Sequence, residues 1–187
     1  MYRTAEYTDE WRQRYGKPVV LDEIAYEGNI QHGWGNITGE EMVRRFWEAA
    51  MRGGYPGHGE TFLNDEDVLW WSHGGILRGE SWKRVKFLHR IMTETPGLGL
   101  KRVPVEWDSV CAQPESRITA RQTGYRIYYY SFMRPTFREF YFDDSTDYRV
   151  QVIDTWGMTI QEAGIFRGHF RVELPSRQYM AIRIRKA

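Results

Sequence analysis

The sequence predicts an α/β region followed by an all-β region, with the change near residue 95. Before that point, stretches with helical periodicity alternate with short apolar runs, which is typical of βα units around a parallel sheet. In the second half, at least five strand-like stretches follow one another between turn signals, which is typical of an antiparallel, immunoglobulin-like (Ig-like) β-sandwich. We therefore expect two domains, residues 1–95 and residues 96–187.

Three helices and two short strands, in the order α–β–loop–α–β–loop–α, are predicted in the first domain. The first helix covers residues 6–15, where aromatic residues recur at every fourth position. An apolar strand, which we expect to be buried, follows at residues 18–21. Thr38 and Glu41 match the capping box that marks the start of a second helix. The third helix covers residues 80–93 and ends before a Pro-Gly pair.

The second domain contains short stretches in which apolar and polar residues alternate. In the last stretch, Arg183 and Arg185 alternate with apolar residues, so we expect these arginines on a solvated face or edge of a sheet. The strand-like stretches are residues 125–132, 137–142, 148–156, 168–174 and 178–186.

Composition excludes several function classes. The 26 basic and 25 acidic residues leave a net charge of +1, so nothing attracts the whole chain to nucleic acid or to an anionic membrane. No run of about 18 apolar residues exists that could span a membrane. The single cysteine, Cys111, cannot form an intrachain disulfide. The compartment stays open: the protein is cytoplasmic, or exported if a signal peptide lies upstream.

Three carboxylates crowd the end of the first predicted strand. Asp22 and Glu23 follow it directly, and Glu27 comes four residues later. Functional residues of parallel α/β folds collect beyond the carboxyl ends of strands. Because neighbouring strand residues point to opposite faces, only one of Asp22 and Glu23 is expected to face a pocket.

The stretch "KPVVLDEIAYEGN" (17–29) resembles strand seven of bacterial (β/α)8-barrel glycoside hydrolases, in the retaining clan whose nucleophile is a glutamate at the end of that strand. The stretch "EEMVRRFWEAAMRGGYPGHGETF" (40–62) resembles the region from helix seven to strand eight in barrels related to apiosidases, and "GESWKRVKFLHRIM" (79–92) resembles the last barrel helix. The strand-rich end resembles the small sandwich domain appended to some of these enzymes. The resemblance implies a glycoside hydrolase acting on plant-type or bacterial polysaccharide.

The resemblance also implies roles for individual residues. Glu23 is the expected nucleophile, which would attack the anomeric carbon. The expected contacts to a carbohydrate substrate are Glu27, Trp34, His58, Glu60, Trp70 and Trp71, with weaker expectations for His32 and His73. No metal-ligand spacing and no nucleotide-binding glycine motif occurs, so neither a metal nor a cofactor is expected.

Chain length limits the expected activity. A complete barrel takes about 250 residues, whereas the first domain holds the last two βα units. The general acid/base of this clan comes from strand four, so we expect a fragment that is inactive alone and that could pair with the missing N-terminal portion of the barrel.

Two alternatives remain open. The chain could be a non-catalytic carbohydrate-binding or structural module, with candidate exposed aromatics at Tyr128, Tyr129, Tyr130 and Phe142. It could also be an interaction protein that completes a barrel with another chain, which would show as association that depends on concentration.

Overall fold

The computed structural model describes residues 4–65, 75–104, 109–142 and 145–187. The chain divides into two compact units, Met1–His89 and Arg90–Ala187. The helices are α1 (Thr8–Tyr15), α2 (Gly39–Met51), α3 (Ser81–Thr93) and α4 (Arg117–Thr123). The strands are β1 (Val20–Leu21), β2 (Glu27–Gly28), β3 (Tyr55–Pro56), β4 (Glu60–Thr61), β5 (Leu100–Val103), β6 (Val110–Pro114), β7 (Arg126–Tyr129), β8 (Phe137–Tyr141), β9 (Tyr148–Asp154), β10 (Thr159–Phe166), β11 (His169–Glu173) and β12 (Met180–Lys186).

The first unit contains two parallel strand pairs. Strand β1 pairs with β3, and β2 pairs with β4. Parallel pairing agrees with the alternation of helices and short strands in the sequence. The prediction of a buried first strand is wrong for most of its residues: Leu21 is 5% exposed, but Val20 is 63% exposed. Tyr55, which lies opposite Val20, is 59% exposed.

Helix α1 ends as its sequence predicts. Gly16 follows it in the left-handed conformation, with φ of 60°, and its N–H donates to the carbonyl of Arg12 at 2.9 Å. A residue without Cβ adopts this conformation with little cost. The helix is preceded by a 3₁₀ turn at Thr4–Tyr7.

Helix α2 begins with one of the two hydrogen bonds of the predicted capping box. Thr38 Oγ1 accepts from the N–H of Glu41 at 3.1 Å, as expected of an N-cap. The reciprocal bond is replaced, because the Glu41 carboxylate accepts from Arg44 Nε at 2.7 Å and from Arg45 Nε at 2.6 Å. Although partial burial raises it, the hydrogen bonds from these two arginines hold the pKa of Glu41 below its usual value.

Helix α2 is buried on all sides from Met42 to Met51, including its charged residues. Arg44 lies 3.7 Å from Glu48, and Arg52 pairs with Glu48 and lies 3.2 Å from Asp9. Buried charges are tolerated when they are paired in this way. The helix therefore holds a fixed position inside the first unit.

The second unit contains two antiparallel sheets. The larger has six strands in the order β10-β9-β12-β7-β6-β5, and the smaller pairs β8 with β11. All five predicted strand-like stretches contain one of these strands. The sequence analysis missed β5, β6, β10 and helix α4. Strand β10 carries no buried residue, so it lacks the alternation by which a half-buried strand is recognised.

Strands of both sheets contribute to one hydrophobic core. Its buried members are Cys111, Tyr128, Tyr130, Phe140, Tyr148, Val150, Phe170, Val172, Leu174, Met180, Ile182 and Ile184. The tyrosines considered as exposed platforms are therefore core residues: Tyr128, Tyr129 and Tyr130 are at most 3% exposed. Phe142 packs against the core and is partly buried.

The expectation of a solvated Arg183 is also wrong. This side chain is 2% exposed, its Nε donates to Gln151 Oε1 at 2.8 Å and its Nη1 donates to Glu94 Oε2 at 2.7 Å. Burial of an arginine requires such partners, and they come from distant positions that the local alternation does not reveal. Among the described helices, none is long and apolar enough to cross a membrane.

Candidate active site

The candidate site lies at the carboxyl ends of the parallel strands β1 and β3. Leu21 pairs with Pro56, and the N–H of Gly57 donates to the carbonyl of Leu21 at 2.8 Å. Asp22 and Glu23 therefore leave β1 at the same edge at which Gly57 and His58 leave β3. Both carboxylates are exposed.

The Tyr26 side chain is hydrogen-bonded to the Glu23 carboxylate. Burial, followed by this hydrogen bond and the negative charge of Glu23, raises the pKa of Tyr26 to about 12. The phenol consequently stays protonated and donates to the carboxylate. One oxygen of Glu23 is thereby oriented by a neighbour three residues away.

The backbone between Glu23 and Tyr26 is strained. Ala25 has φ of 73° and is 3% exposed, and such left-handed conformations cost a non-glycine residue about 1–3 kcal/mol. Arg45 of α2 holds the turn, because its Nη1 donates to the carbonyl of Ile24 at 2.6 Å. Strained backbone conformations cluster at active sites and ligand-binding segments. No local sequence signal marks this strain.

The structure brings Trp34 and His32 beside Tyr26. The N–H of Tyr26 donates to the carbonyl of Trp34 at 2.8 Å, and the two rings meet edge to face at 5.9 Å. His32 is stacked on Trp34 with ring centroids 5.8 Å apart. Gly59 closes the other side, since a Cβ there would lie 2.4 Å from the Tyr26 ring. The result is an aromatic group next to Glu23.

Glu27 occupies a different position from Glu23. It is 5% exposed, and its carboxylate accepts from the N–H of Glu80 at 2.9 Å, the N–H of Ser81 at 3.0 Å and the Ser81 hydroxyl at 2.5 Å. A negative charge at the start of a helix is stabilised by the unpaired N–H groups and by the helix dipole. Gly79 leaves room for it, because a Cβ there would lie 2.4 Å from the carboxylate. This geometry fits an anchor for α3.

His58 and Glu60 adjoin the same helix start. Glu60 lies opposite Glu27 in the β2–β4 pair, and its Oε2 accepts from the N–H groups of Arg78 at 2.7 Å and Gly79 at 3.1 Å. His58 Nε2 lies 2.9 Å from Ser81 Oγ. Since the single hydroxyl proton of Ser81 is donated to Glu27, His58 Nε2 donates to Ser81.

Two opposing influences act on the charge of His58. Burial lowers the pKa of this imidazole, and the negative charges of Glu60 and Glu27 only partly oppose the shift, so the net pKa is below its usual value. His58 is therefore neutral at neutral pH. Potential ligand atoms of Glu27, His58 and Glu60 lie within 4.8 Å of one another, which is close enough to hold a cation. Their hydrogen bonds to the residues around the start of α3 compete with that role.

The predicted residues thus fall into two groups among the described parts of the chain. Glu23, Trp34 and His32 adjoin Tyr26, whereas Glu27, His58 and Glu60 adjoin the start of α3. Sequence reasoning missed Tyr26 as a functional residue, although its position between the two glutamates was visible. Trp70, Trp71 and His73 lie outside the described residues.

The chain has a glycoside hydrolase-like fold. A Bacteroides vulgatus protein described as a glycoside hydrolase is 26% identical, with a TM-score of 0.82 over 98% of this chain. A second structure, described only as a glycoside hydrolase, is 12% identical, with a TM-score of 0.69 over 99% of this chain. A glycoside hydrolase of family 5 from Bacteroides vulgatus is 12% identical, with a TM-score of 0.66 over 98% of this chain.

This chain spans less than half the length of these proteins. It covers 39%, 46% and 45% of them, respectively. Residues 107–185 match a family model described as a domain of unknown function, DUF5605. The comparison with curated proteins gives no match.

Proposed function

We propose that this chain carries the nucleophile of a retaining glycoside hydrolase, and that the nucleophile is Glu23. The observation that carries the proposal is the position of Glu23, an exposed carboxylate directly after a parallel strand and hydrogen-bonded to Tyr26. In glycoside hydrolases of this type a carboxylate attacks the anomeric carbon and forms a glycosyl-enzyme that water then hydrolyses. The 26% identity to a Bacteroides vulgatus protein described as a glycoside hydrolase supports this chemistry.

The neighbours of Glu23 suit that role. The Tyr26 phenol donates a hydrogen bond to the carboxylate. Trp34 and His32 present aromatic rings beside it, against which the apolar face of a sugar ring can pack. Trp70 and Trp71 remain proposed substrate contacts on the basis of the sequence resemblance.

The first unit corresponds, in this proposal, to the last two βα units of a (β/α)8 barrel. The exposure of Val20 and Tyr55 supports it, because strands of parallel sheets are normally covered on both faces. Strands β1 and β3 would join further strands on either side. This chain spans less than half the length of the similar solved structures, which is consistent with such an arrangement.

The general acid/base of the reaction would then come from another barrel strand. A retaining site needs two carboxyl groups about 5 Å apart. Glu27 and Glu60 are poor candidates, since each already accepts hydrogen bonds from backbone N–H groups at or just before the start of α3. We therefore propose that the 187-residue chain alone hydrolyses no glycoside. The proposed substrate is a plant-type or bacterial polysaccharide, and the second unit is the accessory Ig-like β-sandwich.

A chimera tests this proposal. In it, residues 1–187 replace the portion of the Bacteroides vulgatus protein that they match. We expect the chimera to hydrolyse activated aryl glycosides, and Glu23→Gln to reduce turnover by about a thousandfold or more. Asp22→Asn, a neighbouring exposed carboxylate, is the matched control and should change turnover less than about tenfold. Turnover by the unjoined chain that disappears in Glu23→Gln would contradict the fragment hypothesis.

A second candidate function is carbohydrate binding without catalysis. It is favoured by one face of the β8–β11 sheet, where Tyr141 is 70% exposed and stacks on His169 at 4.3 Å. Phe137, four residue pairs further along the same face, is 40% exposed, and its ring lies 3.7 Å from the guanidinium of Arg171. Binding of neutral polysaccharides by the unjoined chain, lost in Tyr141→Ala, would support this function.

A further inference from the structure

The second unit contains a cationic cleft of about 590 Å³. Four basic side chains line it, and none of the described lining residues carries a carboxylate. The basic residues are Arg117, Arg121, Arg126 and Lys186. The near-neutral net charge of the whole chain conceals this local concentration.

The cations of the cleft differ from other arginines of the unit. Elsewhere, Arg167 pairs with Asp147 at 2.8 Å, Arg171 with Glu173 at 2.6 Å and Arg177 with Asp154 at 2.6 Å. Within the described parts of the chain, Arg117, Arg121 and Lys186 form no such pair. Uncompensated cations that converge on one cleft create a field that attracts an anion.

Aromatic rings form one wall of the cleft. Phe142 stacks on Tyr148 with ring centroids 4.4 Å apart, and the Arg126 guanidinium lies 5.5 Å from the Phe142 ring. The backbone of Gly124 lies close against this wall, since a Cβ there would lie 2.8 Å from Tyr148 and 2.9 Å from Lys186. The cleft therefore combines an apolar wall with cationic side chains.

We infer that this cleft binds a carboxylate-bearing sugar, such as a uronic acid residue of an acidic polysaccharide. Guanidinium groups pair with carboxylates through two parallel hydrogen bonds, and the carbon–hydrogen face of a sugar ring packs on aromatic side chains. The choice of a sugar acid over other anions rests on the proposed function. The site lies in the second unit and takes no part in the chemistry at Glu23.

Calorimetric titration of the 187-residue chain with an oligogalacturonide tests the inference. Its methyl ester is the matched ligand, because the ring is the same and only the charge is removed. We expect binding of the acid that weakens as salt is raised and no measurable binding of the ester. Arg121→Glu should weaken binding by about tenfold or more. Arg134→Glu makes the same charge change at an exposed position outside the cleft lining and should leave affinity unchanged.

Several results would overturn the inference. Equal binding of acid and ester would show that charge plays no part. Tighter binding of inorganic phosphate or of a single-stranded oligonucleotide, lost in Arg121→Glu, would assign the cleft to phosphate groups instead. No binding of the acid by the unaltered chain would also overturn it. None of these results bears on turnover by the chimera, so this inference and the proposed function can fail separately.

Discussion

The substitution Glu27→Gln tests whether the Glu27 carboxylate anchors helix α3 or binds substrate. The side chain accepts three hydrogen bonds from the residues at the start of α3. Hydrogen bonds to a charged group are worth about 1.5–3 kcal/mol each, and a charge at a helix N-terminus adds about 0.3–1 kcal/mol. Glutamine keeps one acceptor oxygen but turns an NH2 group toward a donor. We therefore expect the free energy of unfolding of the first unit to fall by about 2–4 kcal/mol.

Urea denaturation followed by tryptophan fluorescence measures this loss. Six of the eight tryptophans lie within residues 1–89, so the signal reports mainly the first unit. Glu80→Gln is the matched control: its side chain is 68% exposed, and the change should stay within about 0.5 kcal/mol. A stability change below about 0.5 kcal/mol in Glu27→Gln, together with lost turnover in the chimera, would refute the anchoring role.

Three further predictions concern the loop and its neighbours. Tyr26→Phe removes the donor to Glu23 and should lower kcat of the chimera by roughly 10–100-fold without unfolding it, as kinetics and circular dichroism can measure. Ala25→Gly relieves the left-handed strain and should raise unfolding free energy by up to about 1 kcal/mol, whereas the same change at Ala49 in α2 should lower it. Because burial lowers the pKa of His58, folding favours its neutral form. The resulting contribution to the stability of the folded state is present above pH 6.5 and is lost as the pH falls below that value. We therefore expect His58→Gln to reduce the drop in Tm between about pH 7.5 and pH 5.

Each of these predictions can fail in a distinct way. Unchanged kcat in Tyr26→Phe would mean that Glu23 needs no orienting donor. A loss of stability in Ala25→Gly equal to that in Ala49→Gly would mean that the turn carries no strain. An identical pH dependence of Tm in the unaltered chain and in His58→Gln would mean that His58 does not lose protons on folding.

Local sequence signals predicted the elements of this protein well. Gly16 ends α1 and Thr38 starts α2, because caps depend on a few neighbouring residues. Strand-like composition and apolar alternation predicted five strands of the second unit, which are β7, β8, β9, β11 and β12. The missed strands include β10, which carries no buried residue and therefore leaves no such pattern.

Distant contacts could not be predicted from the sequence. Alternation suggested a solvated Arg183, but Gln151 and Glu94 bury it, and these partners are 32 and 89 residues away. The hydrogen bond from Arg45 to Ile24 that holds the strained turn spans 21 residues. The resemblance placed both Glu23 and Glu27 in the candidate site. Only the structure distinguishes their positions, because Glu23 is exposed whereas Glu27 is buried at the start of helix α3.

The identity of the nucleophile can be measured by covalent trapping. The chimera is incubated with a fluoro-substituted aryl glycoside that forms a glycosyl-enzyme and hydrolyses slowly, and the labelled peptide is sequenced by mass spectrometry. Our account predicts a single glycosyl adduct on Glu23. An adduct on Glu27, Glu60 or any other carboxylate would contradict it.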